Sequence, residues 1–213
     1  MMIPTVLEQS KYGERAFDLY SRMLEDRIVF VHGEINDQMA NIVNASLLFL
    51  EHKQEGAPIQ MFIQSPGGSV DAGYSIYDTM NYISAPIIRI GMGACASMGQ
   101  FLLSSKCGRE GERRVALPNT RIMQHQPSGG AGNQCSDIVI SAKELVKMKD
   151  KFISYFSEWS GKEKDVIRKD MERDYWMSAQ EAVEYGYLDA VMTPKGMFQK
   201  DTSIDLSGVR KWA

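Results

Sequence analysis

The sequence predicts an α/β fold in which a mostly parallel sheet is joined by crossover helices. Three observations carry this. Short β-branched runs alternate with segments whose apolar residues recur at helical spacing. Strand-then-helix units follow one another, and parallel neighbours need a crossover of about a dozen residues, which such helices supply. No repeat and no linker-like stretch divides the 213 residues, so residues 1–213 are expected to form one domain.

The first strand is RIVFV (27–31), after which HGEIND turns the chain. Asp37 is placed to cap a helix whose apolar positions are Met39, Ile42, Val43, Leu47 and Leu50. APIQMFIQ (57–64) is a second strand, stopped by SPGGS; Ser69 or Asp71 then starts a helix with Ala72, Ile76, Met80 and Ile83 on one face. Pro86 precedes the third strand, IIRIG, which feeds the small-residue stretch GMGACASMGQ and a helix to about Ser105. REGERR is a charged turn, and VALP and TRIMQHQ are two more short strands. Glycine-rich SGGAGNQ (128–134) is expected to be mobile or to form an edge. The longest helix signal covers 137–159, where Ile138, Leu145, Phe152 and Trp159 fall every seven residues with Ser141, Met148 and Tyr155 between them. So few heptads point to a packed helix or an interface rather than an autonomous coiled coil. SAQEAVEYG (178–186) carries a capping box, Ser178 with Glu181, and a stop at Gly186. YLDAVM is a last strand, and the polar tail 194–213 is expected to be flexible.

Composition narrows the function. Hydrophobic residues at 44% and charged residues at 24% are ordinary for a globular protein, and the net charge of −3 argues against nucleic acid or an anionic membrane as partner. Apolar runs such as ASLLFL are too short to cross a bilayer. Cys95, Cys107 and Cys135 are odd in number and lack C-x-x-C spacing, so neither a disulfide framework nor a metal site is expected. Reduced thiols and the lack of a readable secretion signal lead to an expectation of the cytoplasm. The fourteen methionines read mostly as core filler.

Small residues crowd a turn when backbone must bend sharply or approach something closely. GMGACA formally matches a dinucleotide fingerprint, with Glu110 and Glu112 near the distance for a ribose contact, but that reading leaves Ser97 unexplained. A second reading exposes the Ser97 hydroxyl at a tight strand-to-helix connection as a nucleophile; a third makes Ser97 a helix cap. A nucleophilic serine needs a base. Of the three histidines, His32 at a turn and His52 at a helix end read as structural, whereas His125 ends a strand before Pro127 and a glycine-rich loop. Asp174, beside aromatic residues in MERDYWMSAQ, is one candidate to orient it, with a surface pair to Arg173 as the alternative. The Met98 N–H and the glycines of SPGGS, Gly67 and Gly68, offer oxyanion donors. No G-x-x-x-x-G-K-[ST] occurs, so the chain itself is not expected to bind a nucleoside triphosphate.

Taken together, SPGGSVDAGYSIYDTM, GACASMGQFLL, LPNTRIMQHQP and MERDYWMSAQEAVEYGYLDAVM resemble the ClpP family, the proteolytic subunits of Clp proteases, over about residues 4–193. The resemblance implies a crotonase-like spiral of β-β-α units with a protruding helix-strand handle at 128–159 and an N-terminal axial segment at 1–18. It makes Ser97 the nucleophile, His125 the base, Asp174 the orienting acid, and the Gly68 and Met98 N–H groups the oxyanion hole. It implies a serine endopeptidase assembled as a tetradecamer of two stacked heptameric rings. Peptides and unfolded proteins would be fed in by an AAA+ unfoldase such as ClpX, ClpA or ClpC. ATP would be used by that partner, so no cofactor is expected here. Gln60, Phe62 and Tyr82 fall at unfoldase-docking positions.

The chain departs from the family pattern in places. CGREGERR is about three residues longer than the usual turn, Gln124 stands where an aliphatic residue is usual, and Gln60 where tyrosine is common. A structural ring subunit and a crotonase-type enzyme acting on acyl-CoA are the alternatives. The first is disfavoured by the complete set Ser97, His125 and Asp174; the second needs an oxyanion hole but no seryl nucleophile.

Overall fold

The computed structural model describes residues 3–10, 13–130 and 134–192. It opens with an antiparallel hairpin, β1 (Thr5–Ser10) and β2 (Gly13–Asp18), and a helix, α1 (Leu19–Glu25), capped by the Asp18 carboxylate accepting from Ser21 N. Alternation then begins: β3 (Ile28–His32), α2 (Asp37–Lys53), β4 (Ile59–Ser65), α3 (Val70–Tyr82), β5 (Ile87–Ala96) and α4 (Met98–Ser104). After these come β6 (Arg113–Ala116), β7 (Arg121–Gln124), α5 (Cys135–Ser160), α6 (Lys164–Asp170), β8 (Tyr175–Ser178), α7 (Ala179–Tyr185) and β9 (Ala190–Val191).

The main sheet has seven strands in the order β3-β4-β5-β6-β9, with β7 added beside β5 and β8 beside β7. All its pairs are parallel except β7 with β8. The long β5 serves two neighbours in turn: Ile88–Gly91 pair with β6, and Ala94–Ala96 pair with β7. The α/β expectation is met. Three local expectations need correction. Arg27 has φ 63°, outside strand geometry, so the first predicted strand starts at Ile28. Asn36, not Asp37, caps α2: its backbone is extended and its Oδ1 accepts from Met39 N at 2.9 Å, leaving Asp37 in the first turn, where its charge suits the helix dipole. Most of GMGACASMGQ is not a turn, because β5 runs through Ala96 and only Ser97 connects it to α4. That removes the strand-turn-helix context a dinucleotide fingerprint requires. Glu112 is engaged elsewhere, accepting from buried Arg89 at 2.9 Å and from the N–H groups of Cys107 and Gly108.

The core lies between β4 and the helices, with Met61, Ile63, Leu47, Leu50, Ile76 and Met80 all fully buried. The predicted apolar face of α3 is the one that enters it. Phe101 of α4 sits at the centre of an aromatic cluster, its ring 4.9 Å from Trp159, 5.1 Å from Phe152 and 5.4 Å from Tyr77. Such contacts seat the second half of α5 on α3 and α4. Before Phe152, α5 has no buried residue, and Ile138, Val139, Ile140 and Val146 are exposed. Arg114 gathers three helix ends: its Nη1 donates to the carbonyls of Ser104, Trp159 and Gly186, while Nη2 lies 2.7 Å from Asp189 Oδ1. Cys95, Cys107 and Cys135 are free thiols. Among the described residues no helix is long and apolar enough to cross a membrane. The predicted tail 194–213 lies outside the described residues, as do residues 131–133 of the glycine-rich stretch and residues 1, 2, 11 and 12 of the N-terminal segment.

Candidate active site

Ser97 sits where β5 meets α4, with φ 54° and ψ −121°, a conformation costly for a residue with a Cβ. Two contacts along the chain hold it there: Ser97 N donates to Met123 O at 2.9 Å, and Ser97 O accepts from Phe101 N at 3.0 Å. The sharp connection fits because its neighbours are small. A Cβ on Gly67 would come 2.6 Å from Ser97 Cβ, and one on Gly99 would come 2.8 Å from Ser65 O. The Ser97 side chain makes no capping hydrogen bond. Its Oγ lies 2.8 Å from His125 Nε2 instead.

β7 and β8 deliver the other two groups. Their antiparallel register pairs Gln124 with Tyr175, so the next residue along one strand, His125, meets the residue before the other, Asp174. Asp174 Oδ1 stands 3.4 Å from His125 Nδ1, an ion-pair contact longer than a close hydrogen bond. The imidazole is half-buried and Asp174 is exposed. The same corner is tied to the end of α6, where Gln126 N donates to Met171 O, and to α5, where Lys149 Nζ donates to Gln126 Oε1 at 2.8 Å and Glu172 Oε2 at 3.0 Å. Lys149 thereby holds the Glu172 carboxyl below its usual pKa.

Gly68 bridges to Ile35: Ile35 N donates to Gly67 O, and Ser69 N donates to Ile35 O, each at 2.8 Å. The Gly68 N–H takes no part in this bridge. Only glycine fits, because φ is +147° and a Cβ would lie 2.2 Å from Ile35 O. Met98 is the first residue of α4, so its N–H is one of the helix-start donors without an intrahelical acceptor. Gly68, Ser97, Met98 and His125 share a cavity of about 50 Å³ with Val70, Phe152 and Phe156.

The structure therefore brings Ser97, His125, Asp174, Gly68 and Met98 together. The docking candidates are more dispersed. Gln60 and Phe62 lie two residues apart on β4, and Phe62 packs beside Ile88 and Ile90 and stacks on Phe30, while Tyr82 stands 82% exposed at the end of α3. Of the other histidines, His52 lies in the last turn of α2; His32 ends β3 edge-on to Phe30, where burial pushes its pKa down. The sequence reading missed the cavity's side walls. Phe152 and Phe156 sit one turn apart on α5 and read as ordinary core positions. Gln124, expected only as an oddity, is buried: its Nε2 donates to Tyr185 OH at 3.3 Å, its Oε1 accepts from Tyr187 OH, and Tyr185 OH donates to Asp170 at 2.7 Å. The family described as Clp protease matches the chain over residues 11–195.

Proposed function

Because the chain belongs to the Clp protease family, and is thus a Clp-type peptidase with an α/β fold consistent with the crotonase-like spiral, we propose that it is a serine endopeptidase acting through Ser97, His125 and Asp174. One observation carries the reading: the Ser97 hydroxyl, free of helix capping, lies 2.8 Å from His125 Nε2. His125 Nε2 takes the hydroxyl proton as Oγ attacks a peptide carbonyl, and Asp174 orients the ring and stabilises the imidazolium. The carbonyl oxygen, now an oxyanion, accepts from the N–H groups of Gly68 and Met98, which need no rearrangement as charge develops. His125 returns the proton to the leaving amine, and water then hydrolyses the acyl-enzyme by the same route in reverse. No step calls on a cofactor.

The same reading makes the working particle a tetradecamer of two stacked heptameric rings enclosing the sites, fed with unfolded proteins by an AAA+ unfoldase that uses the ATP. Its support is apolar surface that a lone chain leaves in water: Ile138, Ile140 and Val146 on α5, Leu48 and Phe49 on α2, and Tyr82 on α3. The free thiols suit a reducing compartment such as the cytoplasm. The test is cleavage of a short fluorogenic peptide by the purified full chain. Ser97→Ala should abolish cleavage and labelling by a fluorophosphonate while particle mass is kept. Undiminished turnover by Ser97→Ala would sink the assignment.

A further inference from the structure

Two glutamines flank His125, and each reaches the segment that carries Asp174. Gln126 does so directly: its N–H donates to Met171 O and its Nε2 to Glu172 O at 3.2 Å. Gln124 does so through a buried relay. Tyr187 OH donates to Gln124 Oε1, Gln124 Nε2 donates to Tyr185 OH at 3.3 Å, and Tyr185 OH donates to Asp170 Oδ2 at 2.7 Å. The donors run in one direction and end on a carboxylate, so each bond polarises the next. Burial pushes the pKa of both phenols up, which keeps them protonated as donors. By strand alternation Gln124 and its cross-strand partner Tyr175 turn to one face of the β7–β8 ribbon, and His125 and Asp174 meet on the other.

We infer that Gln124 is a positioning residue for the proposed reaction: through Tyr185 and Asp170 it sets where Asp174 stands against His125. The inference rests on the peptidase reading above. Asp170 is the last residue of α6 and Tyr175 the first of β8, so the two bracket the segment that includes Asp174. Tyr185 holds both brackets. Its hydroxyl binds Asp170, and its ring lies 5.8 Å from that of Tyr175. Asp174 is 62% exposed, so its own packing does little to fix it. The fully buried amide of Gln124 supplies what an aliphatic side chain cannot, an acceptor for Tyr187 and a donor for Tyr185 in one plane. Placement matters for rate, because a shift of about 1 Å caused far from the chemistry can cost about 10²-fold.

The experiment measures kcat and KM for a short fluorogenic peptide with full-length wild type, Gln124→Met, Asp174→Asn and the double variant. Active sites are counted by fluorophosphonate labelling to completion, so a partly folded preparation does not distort the rates. Gln124→Met should lower kcat per labelled site about tenfold and leave KM within about twofold. Added to Asp174→Asn, the same change should cost less than about twofold, because the group it acts through is already disabled. A merely structural role gives other results: kcat per labelled site stays at the wild-type value, or the two losses multiply. Either would overturn the inference and leave the peptidase reading standing. If Gln124→Met does not fold, Tyr187→Phe, which removes only the hydroxyl at the far end of the relay, goes through the same cycle and is judged by the same outcomes. Full turnover by Asp174→Asn would overturn the triad and the inference with it. Wild-type protein that neither cleaves the peptide nor labels would overturn the peptidase reading as well.

Discussion

At Ser97 a side-chain-bearing residue is held at φ 54°, ψ −121°, a strain of about 1–3 kcal/mol that persists only where surroundings over-determine it. Hydrogen bonds on either side of the serine and the missing Cβ atoms of Gly67 and Gly99 do so here. The strain has a geometric result: Oγ leaves the helix start and meets His125. Asp174 is held less tightly, at 3.4 Å and 62% exposed. If it orients His125 as proposed, Asp174→Asn should still lower kcat by orders of magnitude, since the corresponding change in another serine protease costs about 10⁴-fold. The measurement is peptide turnover on assembled particles, and a loss of only twofold would count against the role. Sequence made Ser97, His125 and Asp174 legible because each sits in a recognisable short motif. Gln124 was not interpretable there, since Tyr185 and Tyr187 lie 61 and 63 residues further on and only the folded chain puts them beside it.

Helices with strong local signals were the most readable elements. α7 is bounded by Ser178 and by Gly186 at φ 97°, both legible as cap residues, and both halves of the capping box form. Ser178→Ala should cost about 1 kcal/mol, lowering Tm by about 2–4 °C in a chain of this size. The Ser178 backbone N–H and hydroxyl hold the Glu181 carboxyl below its usual pKa. A carboxyl lowered by folding stabilises above its unfolded titration range and loses that contribution as pH falls through its folded value. The Tm gap between wild type and Glu181→Gln at neutral pH should therefore shrink below about pH 4. A gap that widens in acid would contradict the capping role. Elements defined by distant partners were harder to read. β8 exists through pairing with β7, only Ala190–Val191 of the expected last strand YLDAVM pair with β6, and the β1–β2 hairpin carries few apolar residues to mark its alternation. The glycines of β5 read as a turn because glycine usually breaks strands; the exception arises where Leu103 packs against Gly91 too closely for a Cβ.

For the molecule as a whole, Arg114 is a node. One guanidinium serves the C-terminal carbonyls around α4, α5 and α7 and the Asp189 carboxylate before β9. Arg114→Met would leave those acceptors without their donor and should destabilise by about 3 kcal/mol or more, read as a lower denaturant midpoint. A change within 0.5 kcal/mol, the range of ordinary surface substitutions, would show that the carbonyls find other donors. The antiparallel pairing of β7 with β8 has a consequence for the order in which the molecule is made. Synthesis runs from the N-terminus, and domains complete themselves as chain emerges. A growing chain that has passed β7 already holds Ser97 and His125, yet Asp174 and the strand that seats it are still to come, followed by the Asp189 end of the Arg114 node. On the proposed triad, the cutting centre is therefore complete only once β8 has been made and has paired with β7, so a chain halted before that strand is a blunt one.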